Sequence, residues 1–315
     1  MLYDVNGNIV CDSENTGGAS YTDAQCKQAF LAYMAKKCTQ FGMTGTTYAS
    51  PSGQTQSSSI TAQDMLKLGI AVAASVKGQD IWSSKDQSFS IKGEHARTLA
   101  VTNNVISGTG ATLDAAGYKF LGGKGGSLIY GSAYHRAGLD MVDIEGHAVL
   151  VSLLAYGQTN YNNIATSTKE LCDMVKASLD GQTPTEGSNL AALVSGGGGY
   201  AACLVPTNVA GYVNLETPAM LLTREHSQSA SPTQSRYPAS TSKAMTMLCV
   251  LDYFTNLHET VTVKTVDIES GSGSTFYNGD KLVIEDALRI MMMESSNTLA
   301  NMVARETGRR ILSNA

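Results

Sequence analysis

Ser240-Thr241-Ser242-Lys243 carries the densest chemistry in the chain. Ser-x-x-Lys at the start of a helix sets a hydroxyl and an amine on adjacent turns of one face. A serine hydroxyl is unreactive at neutral pH until a base takes its proton. A partly desolvated lysine three residues on gives up its own proton readily enough to be that base. Lone matches to the pattern are common, and most are a capping serine beside a solvated lysine. The flanks argue for more here. Tyr237-Pro238-Ala239 leads in and the apolar run 244–251 leads out, so the tetrad enters a helix that must be buried.

Two further patterns can serve such a nucleophile. Ser295-Ser296-Asn297 presents a hydroxyl and a carboxamide two residues apart, able to hydrogen-bond the lysine and hold a substrate amide. Met291, Met292 and Met293 before it fit the filling of irregular core space. In Gly122-Gly123-Lys124-Gly125-Gly126-Ser127, a lysine among glycines at a strand edge supplies a cation for a carboxylate, and the bare backbone lets a peptide lie close. The phosphate-loop pattern is not matched.

Together the three elements resemble the Ser-x-x-Lys, Ser-x-Asn and Lys-Thr-Gly set of the penicillin-recognising serine hydrolases, the D-alanyl-D-alanine peptidases and serine β-lactamases. Residues 237–248 are similar to that family's run into its nucleophile helix, 278–288 to its lead-in to Ser-x-Asn, and 42–53 with 60–65 to the segment that normally comes after Ser-x-Asn. The resemblance implies an α/β fold: a layered α/β/α sheet domain plus an all-helical lobe, with the cleft between them. It also implies acyl transfer without a cofactor, on a D-Ala-D-Ala stem peptide of peptidoglycan or on a β-lactam. In those roles Ser240 attacks, Lys243 is the base, Ser295 relays a proton to the leaving amine and Lys124 holds the terminal carboxylate. Asn297 holds the substrate amide, and the backbone N–H groups of Ser240 and Ser127 form the oxyanion hole beside Gly125 and Gly126. Two departures bear on the substrate. Gly125 stands where the family has Thr or Ser, and no Glu-x-x-Leu-Asn supplies a deacylating glutamate. The first weakens carboxypeptidase recognition of a terminal carboxylate and the second disfavours rapid β-lactamase turnover. A D,D-carboxypeptidase is expected ahead of a divergent β-lactamase or esterase, or of a penicillin-binding sensor that acylates without turnover.

The motif order is rotated. The lysine-glycine element at 124 precedes the others, which reads as a circular permutation. Permutation is tolerated when the original termini lie close together on the surface. The expected organisation is a second part of the helical lobe in 1–75 and the sheet domain in 76–235. The old termini would join there through a flexible Gly/Ser/Thr-rich bridge near 180–200. The nucleophile helix and first part of the lobe fall in 236–312, with 313–315 resembling a cloning scar. Met1 and Leu312 are then expected to be neighbours.

Composition narrows the alternatives. With 43% hydrophobic and 16% charged residues among 315, the chain can bury a large core. A net charge of −5 without aromatic–basic interleaving argues against nucleic acid. Apolar runs are strand-sized, so no membrane span is expected, nor is a secretory signal evident at the first residues. A monomer is expected, and an extracytoplasmic location follows from the resemblance alone. The six cysteines show no Cys-x-x-Cys spacing and the five histidines no zinc pattern, so no metal is expected. Cys203 and Cys249 read as buried apolar groups, and Cys11 with Cys26 as the pair able to bridge in an oxidising compartment. His147 reads as packed at a strand start.

Periodicity predicts helices over 23–38, 61–75 and 166–179, with Thr61 and Asp64 as a cap pair. Strands are predicted over 88–92, 118–120, 139–144 and 148–156, recurring within 200–222.

Overall fold

The computed structural model describes residues 21–130, 133–158, 164–205, 219–225 and 236–314. Helix α1 (Asp23–Gln40) begins at a reciprocal capping box, in which Thr22 Oγ1 accepts from Gln25 N–H and Gln25 Oε1 accepts from Thr22 N–H. Helix α2 (Ala62–Ala74) is capped by Thr61, which accepts from Asp64 N–H at 3.0 Å. The Asp64 carboxylate does not return the bond. It accepts from Gly45 N–H and Thr46 Oγ1, pinning the preceding loop to the helix. Helix α3 (Val76–Trp82) follows directly, then a small hairpin of β1 (Gln87–Ile91) and β2 (Arg97–Val101), one π-helical turn at Ile106–Gly110 and the short α4 (Ala111–Ala115).

The central sheet comprises β3 (Lys119–Tyr130), β4 (Ala133–Ile144), β5 (His147–Gln158), β6 (Gly199–Leu204) and β7 (Ala219–Glu225), antiparallel and neighbours in that order. Between β5 and β6 lie α5 (Ile164–Leu179) and α6 (Ser188–Ser195); after β7 come α7 (Ser242–Leu251), the small β8 (Thr260–Thr262) and β9 (Lys281–Val283) pair, α8 (Ile284–Met293) and α9 (Asn297–Ser313).

Side chains alternate across the sheet. Leu139, Met141, Leu150 and Leu154 enter one buried cluster with residues of α1, α2, α7, α8 and α9. Val142, Val149, Val151 and Leu153 enter a second with α5 and α6. Helices thus cover both faces. Gly69 of α2 lets that helix settle on the sheet, since a Cβ there would come within 3.0 Å of both Leu139 and Leu150. Helix α1 packs on α9 just as closely: Gly308 stands where a Cβ would lie 1.8 Å from Cys26 O, and Tyr21 Oη donates to Leu312 O at 2.9 Å. Among the described residues no helix is long and apolar enough to cross a membrane.

Several expectations need correction. The strand predicted over 118–120 runs through all the glycines to Tyr130, because β4 pairs along its length and tertiary pairing outweighs glycine's low strand preference. The bridge near 180–200 contains α6, whose Leu190, Leu193 and Val194 are buried. Glu170 anchors its start by accepting from the Asn189 and Leu190 N–H groups. Helix α9 extends through Ser313, whose Oγ donates to Arg309 O. Cys26, Cys38, Cys172, Cys203 and Cys249 are buried free thiols. Met1, Cys11 and Ala315 lie outside the described residues.

Candidate active site

Ser240 sits in a 3₁₀ turn, Ala239–Thr241, that feeds α7. Thr241 closes the turn by donating from N–H and Oγ1 to Pro238 O, at 3.1 and 2.6 Å. Ala239 has φ +46°, a left-handed conformation that an L-residue adopts only when its surroundings impose it. The imposing neighbour is Gly53, itself at φ +78°, where a Cβ would lie 1.8 Å from Ala239 O. Backbone pressed on backbone thus sets the turn that carries Ser240.

Lys243 is fully buried and has three polar neighbours: Ser240 Oγ at 3.0 Å, Ser52 O at 2.7 Å and Asn297 Oδ1 at 2.8 Å. The two carbonyl oxygens can only accept. They take both N–H protons of a neutral amine, which leaves its lone pair directed at the serine hydroxyl. The neutral form is favoured: burial, followed by the nearby Lys124 ammonium, pulls Lys243 well below the ordinary lysine range. Its partner Asn297 cannot be turned around, because its Nδ2 donates to Gln54 Oε1 at 2.9 Å and Ser270 O at 3.0 Å.

The lysine-glycine strand joins this centre from the other side of the sequence. Lys124 Nζ donates to Ser295 Oγ at 3.1 Å and to Gly125 O at 2.7 Å. Burial brings it down to about 7, opposed by Asp140. Gly126 permits the approach of β3 to the Ser240 turn, since a Cβ would meet Ser240 N at 2.8 Å and Pro238 O at 2.9 Å. Gly125 has no such duty: its φ is not left-handed and a Cβ would meet only Val105, at 3.7 Å. Ser295 is at φ +66°, held between α8 and α9. A cavity of about 490 Å³ opens between these elements, with Ser240, Lys124, Gly125, Gly126, Ser127 and Ser295 in its walls. Asn297 lies behind that wall. Its carboxamide is committed to Lys243, Gln54 and Ser270, so holding a substrate amide there requires one of those bonds to be exchanged.

Residues 212–314 match the model of the beta-lactamase enzyme family. The matched stretch contains Ser240, Lys243, Ser295 and Asn297, and it supports a serine hydrolase of the β-lactamase kind. Lys124 and the glycines around it lie outside the match and reach the β-lactamase-like centre only through the fold. The chain matches no curated protein and no solved structure.

Motif reading does not assign roles to Ser52, Gly53, Gln54 and Asp140. The first three fall in the segment similar to the stretch after Ser-x-Asn, and Gly53 close to Pro51 is the one local cue to an unusual backbone. Asp140 gives no signal beyond a charge between Leu139 and Met141 in a strand that also carries Asp143.

Proposed function

We propose that this protein is a serine acyl-transfer hydrolase of the D,D-carboxypeptidase type, acting on D-Ala-D-Ala ends of cell-wall peptides and acylated by β-lactams. The observation that carries the reading is the orientation of Lys243, whose two acceptors and depressed basicity leave a lone pair 3.0 Å from Ser240 Oγ. Ser240 Oγ attacks the scissile carbonyl as its proton passes to Lys243 Nζ. The tetrahedral oxyanion is met by the N–H groups of Ser240 and Ser127, and the close approach of Gly126 to Ser240 N supports that pairing. Collapse expels the leaving amine, which takes a proton by way of Ser295 Oγ. Water then releases the acyl group. Lys124 serves the substrate carboxylate and, as a nearby cation, keeps Lys243 neutral.

The absence of the deacylating glutamate pattern favours slow turnover of β-lactams, hence a peptidase over a β-lactamase. The circular permutation belongs to this proposal. The meeting of Tyr21 with Leu312 supports it, as does the contact of Lys124 with Ser295 across 171 residues of sequence. The three-layer sheet domain with an appended helical lobe, divided as the sequence suggests, is part of the same proposal. An extracytoplasmic site of action is part of the same reading.

Labelling with a fluorescent penicillin, followed over time, tests it. A stable adduct on Ser240, absent from Ser240→Ala by mass spectrometry, is expected. No adduct on the parent protein refutes acylation, and rapid loss of the label refutes the peptidase assignment in favour of a β-lactamase.

A further inference from the structure

The cavity does not end at the reactive centre. Antiparallel pairing sets Gly123 opposite Asp140, Gly125 opposite Gly138 and Ser127 opposite Arg136. These six residues share one face of the sheet, while Lys124 and Gly126 share the other with Ser240 beside them. Since β3 is the sheet edge, the cavity passes around it into a trough behind the strand. Its floor is glycine. A Cβ at Gly125 would meet only Val105, at 3.7 Å, and one at Gly138 only Asp140 Oδ2 and Ile164, at 3.5 and 3.7 Å. Ile164 and Ala165 at the start of α5 form one wall, and Val105 with Thr109 another.

Asp140 closes one end. It is 2% exposed, yet its Oδ1 accepts no hydrogen bond among the described residues. Lys124 does not satisfy it: its hydrogen bonds go to Ser295 Oγ and Gly125 O. Oδ1 is pressed on the bare backbone of Gly123, where a Cβ would lie 2.1 Å from it, while Oδ2 faces the trough beside Gly138. A buried carboxylate without a donor among the described residues is costly, and a bound group at Oδ2 is its natural partner.

We infer that this trough is a specificity subsite, in which Asp140 receives a primary ammonium on the side chain of the substrate's leaving residue. The inference rests on the acyl-transfer reading for its direction. If Lys124 holds the terminal carboxylate, the side chain of that same residue lies at the strand edge, next to the trough. An ammonium fits better than a neutral amide, which would supply a hydrogen bond but leave an ionised carboxylate uncompensated. Burial raises Asp140 to about 7 against the pull of Lys124, so an arriving cation would also hold it ionised.

The test measures binding without chemistry. Ser240→Ala protein is titrated with N-acetyl-D-Ala-D-Lys and with N-acetyl-D-Ala-D-norleucine, which differ mainly in the terminal ammonium. The lysine peptide should bind about tenfold tighter or more. That ratio should fall to about one when Asp140→Asn is added. The added change should not lower the melting temperature, because Asp140 Oδ1 has no partner to lose. Gly138→Val should also collapse the ratio, by filling the trough where a Cβ lies 3.5 Å from Asp140 Oδ2 and so shutting the ammonium out. Equal affinities in the Ser240→Ala parent, no binding of either peptide, or a preference that survives both added changes overturns the subsite. Penicillin labelling of the parent enzyme reports separately on acyl transfer, so a failed subsite and a failed reaction class are told apart.

Discussion

Gly53→Ala isolates the contact that shapes the nucleophile turn. The new Cβ would begin 1.8 Å from Ala239 O and 2.8 Å from Ser242 Oγ. Non-bonded heavy atoms settle at about 3.5 Å, so one backbone must yield by well over an ångström. Either Ala239 moves and carries Ser240 with it, or the 52–54 loop moves and withdraws Ser52 O from Lys243. A misplacement of about 1 Å can cost about 100-fold in rate. Penicillin acylation should fall by about that factor. The left-handed φ adds about 1–2 kcal/mol of strain, or a few degrees of melting temperature in a chain of this size. Gly42→Ala is the control. At φ +65° it carries the same conformational penalty, but a Cβ there meets nothing within 4 Å. It should melt lower and acylate normally. If Gly53→Ala acylates as fast as Gly42→Ala, the turn is not set by this contact and the positional argument fails.

Other outcomes rest on the same geometry. Lys243→Ala should retain the fold and lose most acylation, because no other base among the described residues lies beside Ser240 Oγ; an unchanged rate would remove the lysine from its role. Lys243 is basic only when unprotonated, so acylation should level off at high pH and decline as pH drops through its depressed pKa, far below the ordinary 10.5. Lys124→Met deletes a neighbouring cation, so that acidic decline should move to higher pH; a limb that stays put would show that Lys124 does not tune the base. Gln54→Leu frees one side of the Asn297 carboxamide and should slow acylation about tenfold, the worth of one buried hydrogen bond. Gly125→Thr has room for its Cβ and no φ to violate, so it should melt normally and acylate faster by restoring a hydroxyl near Lys124. Normal melting with no faster acylation would show that the missing hydroxyl is already replaced.

Legibility in the sequence was confined to features that depend on short spacing. Ser240 with Lys243, and Ser295 with Asn297, are fixed by one helical turn or one bend, and residue type alone announces their chemistry. Helices α1, α2 and α5 declared themselves by caps and apolar stripes. Partners recruited across the fold did not. Ser52 acts through its carbonyl, which every residue owns, and Asp140 matters only because β4 lays it against a glycine. The glycines of β3 read as a strand edge, and the predicted strand stopped at Phe120, because strand preference is local whereas their pairing with β4 is not. Leu190, Leu193 and Val194 held a helical period, but the Gly, Thr, Pro and Ser around them outweighed it.

The packing of α1 on α9 has a consequence for how the molecule is made. Helix α1 leaves the ribosome with a face of Phe30, Met34 and Cys38 whose cover by α7 and α9 comes late, as the 219-residue separation of Tyr33 from Asp252 and the 291 of Tyr21 from Leu312 show. The Ser52–Gln54 loop likewise waits for α7 and α9, so Lys243 has both acceptors, Ser52 O and Asn297 Oδ1, only once α9 has emerged. Contacts of such long range slow folding and leave apolar surface open in the meantime. The nascent chain should therefore be catalytically silent and dependent on chaperones until α9 closes over α1.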